Sequence, residues 1–200
     1  SYSITFGEIV EGKAAPGAIA FNLVLFSAFA LHHSIFARDA VRAFVRRMVF
    51  APLERSVYVW VASLMLMAVC YFWQPIPGVL WQLSAPGIWV TRGVQLAAIW
   101  LTLPSAVVID AFDLAGVRQV LNPKPQTSEF KTDGPYGWVR HPIYLGWILI
   151  VFSVAVMTNT RLLFATVNSV YLLVAIPFEE RTIRAQSPSY NDYSRTVPWR

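Results

Sequence analysis

The sequence predicts an all-α integral membrane protein with about five transmembrane helices, and three observations carry that reading. The first is composition. Of the 200 residues, 56% are hydrophobic and 14% are charged, whereas a soluble domain carries about 25% charged residues. With a mean hydropathy of +0.50, the chain lacks the polar surface to coat itself in water. The second is length. The apolar residues fall into runs near the roughly 20 that a helix needs to cross the hydrocarbon core. The third is where the charge lies. The net charge is +5 and the isoelectric point about 9.6. The basic residues flank the apolar runs, which reads as membrane topology rather than nucleic-acid binding. The length suits one domain.

The first run covers about 14–37. It is too long for a signal peptide, and no small-residue cleavage site follows it. The second covers about 56–73 and the third about 88–109, where Pro104 is expected to kink the helix. The fourth and fifth cover about 142–157 and 162–178. Only Thr158, Asn159, Thr160 and Arg161 separate them, so they are expected to form a C-terminal helical hairpin. At 16 and 17 residues each barely spans, and a thinned bilayer or extra residues at the ends would supply the difference. Between the second and third runs, Gln74 to Gly87 has no charge and three prolines. Trp73, Trp81 and Trp89 in and beside it read as an interfacial belt.

Orientation follows from Lys and Arg. Arg38, Arg42, Arg46, Arg47 and Arg55 lie in or beside the first loop. Arg118, Lys124, Lys131 and Arg140 lie in the third, and Arg181, Arg184, Arg195 and Arg200 in the tail. These are thirteen of the sixteen basic residues, and five helices would put them all on one side, leaving Lys13, Arg92 and Arg161 on the other. The excess places the first loop, third loop and C-terminus in the cytoplasm. Cys70, the single cysteine, has no partner for a disulfide and sits in an apolar run as a small core residue. Three scattered histidines without HExxH or CxxC spacing give no metal site. Neither GxGxxG nor GxxxxGK[ST] occurs, and basic and aromatic residues do not interleave as a nucleic-acid surface would require.

Polar chemistry concentrates in two places. The run Asp133-Gly134-Pro135-Tyr136-Gly137-Trp138-Val139-Arg140-His141-Pro142-Ile143-Tyr144 opens on a turn signal and leads into the fourth helix. Pro142 suits a first helical turn, where its missing N–H costs nothing. Arg140 and His141 therefore stand at a helix N-terminus whose unpaired N–H groups favour an anion. Cations there oppose the helix dipole and need a counter-charge. Either a bound carboxylate or phosphate supplies it, or Arg140 snorkels to the interface. Pro177-Phe178-Glu179-Glu180 closes the fifth helix. Two carboxylates at the membrane edge are costly unless partnered. They either bind a ligand's amino group or hydroxyls, pair with Arg140 or Arg184, or simply begin a solvated tail.

The run Gly134-x-Tyr136-x4-His141-Pro142-x-Tyr144-x-Gly146, then a short membrane hairpin, Glu179-Glu180 and Tyr190-x-x-Tyr193 resembles the isoprenylcysteine carboxyl methyltransferase superfamily over roughly residues 118–198. Phospholipid N-methyltransferases share a looser form, and Arg-His-Pro-x-Tyr alone also occurs in steroid 5-alpha reductases. The resemblance implies an S-adenosylmethionine pocket on the cytoplasmic side, built by residues 111–200 behind three N-terminal helices in 1–110. It implies cofactor contacts from Tyr136, His141, Pro142, Ile143, Tyr144 and one of Glu179 and Glu180, with Arg140 available to the methionine carboxylate. Prenylcysteine enzymes carry a substrate-binding Arg about one turn before the acidic pair. Ala175 and Ile176 stand there in this chain, which argues against a prenylcysteine carboxylate.

His32-His33-Ser34-x-x-Ala37-Arg38, Glu54-Arg55-Ser56-x-Tyr58 and Phe112-Asp113-Leu114-x-Gly116-x-Arg118-Gln119 resemble the bacterial methanethiol S-methyltransferase branch and its NnrU-like relatives. The implied reaction is methylation of a small thiol or other lipophilic nucleophile that enters from the bilayer of a bacterial inner membrane. A thiol must lose its proton to react, and His32, His33, Arg55 and Asp113 are the candidates to accept it or to stabilise the thiolate. The alternatives are a lipid or prenylcysteine acceptor, a nicotinamide-dependent reductase and a non-enzymatic accessory protein. Five short helices argue against the reductase.

Overall fold

The computed structural model of the protein describes residues 6–109, 117–121 and 132–197. Asp110 and Asp113 lie outside the described residues, as do Lys124, Lys131 and Arg200. In chain order the elements are α1 (Ala18–Phe36), α2 (Asp39–Val45), a 3-10 turn (Ala51–Leu53), α3 (Glu54–Phe72), β1 (Val79–Gln82), α4 (Ala85–Ile109) and α5 (Val117–Leu121). A second 3-10 turn (Gly134–Gly137), α6 (Pro142–Phe152), β2 (Val156–Thr158), α7 (Asn159–Gln186) and α8 (Tyr190–Thr196) follow.

Helices α1, α3, α4 and α7 are long and apolar enough to cross a membrane, and α6 is a shorter apolar helix. The protein is a multi-pass, mainly helical membrane protein. The expected boundaries hold to within a few residues for α1, α3 and α4. Each long helix buries a narrow stripe and leaves the rest of its apolar surface outward. On α1 the stripe is Ala18, Asn22, Phe26 and Phe29, close to the i, i+4, i+8, i+11 spacing of one helix face. Trp60, Trp89, Trp100 and Val107 lie exposed on other helices. Apolar surface of that extent belongs against lipid, not water.

The fourth stretch differs from a plain hairpin. It is helical only over Pro142–Phe152, and an 11-residue helix is about 16 Å long. The chain then leaves the helix and forms β2, which pairs with β1. An extended residue advances about 3.3 Å against about 1.5 Å in a helix, so residues 153–158 recover the reach that α6 lacks. The freed backbone groups are met by neighbours: Leu83 N–H donates to Ala155 C=O at 2.9 Å, and the Trp81 indole to Val154 C=O at 3.0 Å. Non-helical backbone in an apolar setting requires such partners. The tight turn expected over 158–161 is instead the end of β2 and the start of α7. Neither internal proline ends its helix: α4 runs through Pro104 and α7 through Pro177. Around Pro104 the Thr102 and Ser105 hydroxyls donate to the Ala98 and Leu101 carbonyls.

The chain divides into two compact units. Of the described residues, the first takes 6–78, 117–121 and 158–160, and the second 79–109, 132–157 and 161–197. In the first unit α1 packs on α3. The fully buried Asn22 amide donates to Gln74 C=O at 2.9 Å and accepts from Gln74 N–H at 2.7 Å, closing the backbone just past the end of α3. Pro75 and Pro77 forbid further helix there. Gly78, at φ +105, turns the chain toward β1, and a Cβ on it would overlap the Asn159 amide, which donates to Pro77 C=O. In the second unit α6 packs on α4 at Gly146. A Cβ there would collide with Thr102 Oγ1 and come within 3.1 Å of the Ala98 carbonyl. Small residues at helix crossings are how apolar helices approach without a hydrophobic drive between them.

Candidate functional site

Two constellations hold the residues singled out in the sequence, one in each unit. The second unit's is built on the α6 N-terminus and the C-terminal third of α7. Gly134, at φ +60, opens the 3-10 turn that carries Tyr136. His141 is the residue before α6, and Pro142 is the first helical residue. No His141 side-chain bond caps the helix, so the first-turn N–H groups of Ile143 and Tyr144 have no acceptor within α6.

Facing them are Glu179 and Glu180, which play different parts. Glu180 is 5% exposed. One of its oxygens forms an ion pair with Arg140, 3.2 Å from Nε but without a hydrogen bond, and lies 3.4 Å from His141 Nε2, and the other accepts from Arg184 Nη2 at 3.1 Å. Arg140, itself 9% exposed, donates from Nη1 to the Ser194 carbonyl at 3.1 Å. The counter-charge that the helix N-terminus demanded is therefore Glu180, and Arg140 is turned inward rather than snorkelling. Glu179 has a side chain 45% exposed. It accepts from the Tyr144 hydroxyl and lies 3.7 Å from His141 Nδ1. The His141 and Tyr144 rings stack at 5.4 Å. One carboxylate is consumed by two guanidiniums, and the other has lone pairs to spare.

Tyr190 and Tyr193, part of the sequence pattern without an assigned role, both make contacts here. Tyr193 donates to the Tyr136 carbonyl at 2.6 Å, and the Arg184 guanidinium lies over the Tyr190 ring at 5.8 Å. With Arg140 on Ser194, these bonds strap α8 across the turn and the α7 end. Burial raises the Tyr136 and Tyr193 hydroxyls above the usual phenol range. Burial first, and then the Glu180 charge, pushes Tyr190 up to about 12. These phenols are neutral donors at any physiological pH. Trp138 stacks on Trp100 at 5.7 Å and keeps much of its surface outward.

The first unit's constellation lies at the α1 C-terminus and the α3 N-terminus. Tyr58 donates to the His33 carbonyl at 3.2 Å and lies 2.9 Å from His33 Nδ1. His33 also stacks on Phe29 at 5.6 Å. His32 stacks on Phe36 at 4.5 Å, and its Nδ1 is buried without a hydrogen-bond partner among the described residues. Glu54, 6% exposed, holds Arg42 at 3.0 and 3.3 Å and Arg46 at 3.7 Å. Arg42 and Arg46 stand four apart at the end of α2 and so share a face, a spacing visible in the sequence. Arg55 is half-buried. Asp113, the remaining candidate, lies outside the described residues. His32, Phe36, Arg42, Val45, Glu54 and Tyr58 line a cavity of about 60 Å³. No group of His, Cys, Asp and Glu suited to a metal ion occurs among the described residues.

Comparison with known proteins bears on both constellations. The family model described as isoprenylcysteine carboxyl methyltransferase matches residues 106–185. Methanethiol S-methyltransferase 2 of Bradyrhizobium diazoefficiens is 38% identical, over 90% of this chain and 72% of its own length. The methanethiol S-methyltransferase of Mycobacterium tuberculosis is 37% identical over 99% and 89%. Nurim of Xenopus laevis is 31% identical over 84% and 64%. No solved structure matches the chain significantly.

Proposed function

The chain belongs to the isoprenylcysteine carboxyl methyltransferase family, and on that premise we propose that it methylates a small thiol, methanethiol being the first to test, with S-adenosylmethionine as donor. The observation that carries the donor half is the meeting of His141, Tyr144 and Glu179 at one helix N-terminus, although 35 residues separate Tyr144 from Glu179. The acceptor half rests on relatives that bear the name methanethiol S-methyltransferase and align over nine-tenths or more of the chain.

The residues suit such a donor. Glu179 offers an accessible carboxylate for the ammonium or the ribose hydroxyls. The N–H groups of Ile143 and Tyr144, behind Pro142, favour the methionine carboxylate. Tyr136, Tyr144 and Trp138 offer ring faces for the adenine and for a sulfonium charge. When bound, the donor supplies a methyl group on a sulfonium that is already a good leaving group. The chain's share of the work is alignment and the exclusion of water. Arg140 and Glu180 act one step back, holding His141 and the α6 N-terminus against α7 and α8. On the acceptor side, His32, His33, Arg55 and Asp113 are the groups proposed to take the thiol proton or balance the thiolate. The substrate enters from the bilayer of a bacterial inner membrane, with the C-terminus cytoplasmic.

The test is calorimetric titration of the detergent-purified protein with S-adenosylmethionine, alongside a headspace assay for dimethyl sulfide from methanethiol. Donor binding that His141→Ala weakens, together with product formation, supports the reading. Donor binding with methylation of a phospholipid amine but no thiol sinks the acceptor half. No binding by folded protein sinks the whole of it.

A further inference from the structure

We infer that residues 38–50, between α1 and α3, form an interfacial arm that binds anionic phospholipid, with Arg38 and Arg47 on the headgroup phosphates and Phe44, Met48 and Phe50 among the upper acyl chains. Helices α1 and α3 are both long and apolar enough to cross a membrane. The chain that joins them therefore lies at one membrane face, whichever way the protein is oriented. None of these residues is among those assigned to the methyl donor or its acceptor.

The apolar half comes from the local backbone. Helix α2 covers Asp39–Val45, and the chain stays coiled beyond it: the N–H groups of Met48 and Val49 both donate to the Val45 carbonyl at 2.9 Å. Phe44 and Met48, four residues apart, thus share a face. They are 60% and 75% exposed, and Phe50 is 72% exposed. Water solvates such side chains poorly, whereas the boundary between headgroups and acyl chains accepts them. The arm is held in place from both sides. Arg42 donates to Glu54 at 3.0 and 3.3 Å, which ties it to the start of α3, and α2 packs on α1.

The polar half is basic. Arg38, Arg42, Arg46 and Arg47 stand against Asp39 and, at the start of α3, Glu54, which leaves a net charge of +2 over 38–54. Glu54 is taken by Arg42 and, at 3.7 Å, by Arg46. Arg38 and Arg47 are exposed and form no ion pair among the described residues. A guanidinium meets a phosphate in a two-bond fork, and its stem lies along apolar surface while its head stays at the water. Basic residues beside exposed apolar ones, next to a spanning helix, suit an anionic headgroup. A zwitterionic headgroup suits them less, because its own ammonium offsets the phosphate. The arm runs toward a spanning helix at both ends, so lipid headgroups are always within its reach, and they rather than a soluble partner are its occupant.

Two measurements on the whole chain test the assignment. In the first, phosphatidylglycerol or phosphatidylcholine is titrated into the detergent-purified protein and the rise in melting temperature is followed. Phosphatidylglycerol is expected to give the larger rise. The double variant Arg38→Gln/Arg47→Gln is expected to weaken the apparent phosphatidylglycerol affinity about 25-fold, about fivefold for each arginine. Arg38→Lys/Arg47→Lys should keep most of that affinity, and Arg195→Gln, at an exposed arginine of α8, should keep all of it. A variant that melts lower before lipid is added still reports, because affinity is read from the titration midpoint. In the second, Met48→Cys in the Cys70→Ala background carries an environment-sensitive fluorophore in phosphatidylglycerol nanodiscs. Blue-shifted emission that a nitroxide-labelled lipid quenches is expected. Equal phosphatidylglycerol affinity in the wild type and the Gln double variant overturns the headgroup site, as does an equal rise in melting temperature with glycerol 3-phosphate. A fluorophore that emits as in water overturns the contact with acyl chains. One that neither the lipid nitroxide nor a soluble quencher reaches points to a second copy of the chain and overturns it likewise.

Discussion

At the scale of single residues, the adjacent Glu179 and Glu180 show how environment divides the work of identical side chains. Glu180 is buried between Arg140, Arg184 and His141. Removing its charge leaves Arg140, itself buried, without its counter-ion, and breaking a buried pair costs about 3–5 kcal/mol. Glu180→Gln is therefore expected to lower the melting temperature sharply. Glu179→Gln is expected to melt like the wild type and to bind S-adenosylmethionine about 10- to 100-fold more weakly, as a lost charged hydrogen bond implies. Melting curves and calorimetry on the two variants separate the roles. Equal behaviour would show that the burial difference does not set them.

The tyrosines give a pH prediction at the same scale. A free phenol titrates near about 10, and Tyr190 in the folded chain is pushed up to about 12, with Tyr136 and Tyr193 raised as well. Below about pH 10 both states keep these protons, and stability is insensitive to them. Between about pH 10 and about 12 the folded state holds more protons than the unfolded one, so stability falls as pH rises. A phenolate absorbance titration should show a late-titrating group in native protein. Unfolded protein should titrate near the ordinary phenol value.

At the scale of elements, the α4–α6 contact is the most sensitive to volume. Gly146 sits where a Cβ would overlap Thr102 Oγ1. Gly146→Val is expected to push α6 off α4, to lower the melting temperature and to weaken donor binding, because α6 carries His141 and Tyr144. Gly146→Ala combined with Thr102→Ala should recover much of the loss that Gly146→Ala causes alone, since neighbours that share one space are not additive. A strictly additive cycle would mean that the two residues are not in contact. The glycine stood in the sequence pattern, but its reason did not: the hydroxyl it makes room for belongs to a helix more than 40 residues earlier in the chain.

Across the whole molecule, the distribution of basic residues predicts which segments share a side of the membrane. Single cysteines at Ser84, beside β1, and at Ser189, before α8, in a Cys70→Ala background test this with an impermeant thiol reagent on inside-out and right-side-out vesicles. The two positions are expected to label from opposite faces, with Ser189 cytoplasmic. Labelling from one face would overturn the orientation.

Membrane residence, the helix boundaries of α1, α3 and α4, and the two polar clusters were legible in the sequence. Each is a local property: a run of apolar residues long enough to cross a bilayer, a proline that suits a first helical turn, carboxylates too costly to leave without purpose at a membrane edge. The pairing of β1 with β2, the two guanidiniums on Glu180, the capture of Glu54 by Arg42 and Arg46, and the difference between His32 and His33 were not legible. Adjacent residues of one type are equivalent in a sequence. Folding makes them different by surrounding each with groups that lie tens of residues away, and hydrogen bonds and burial depend on those neighbours rather than on the residue itself.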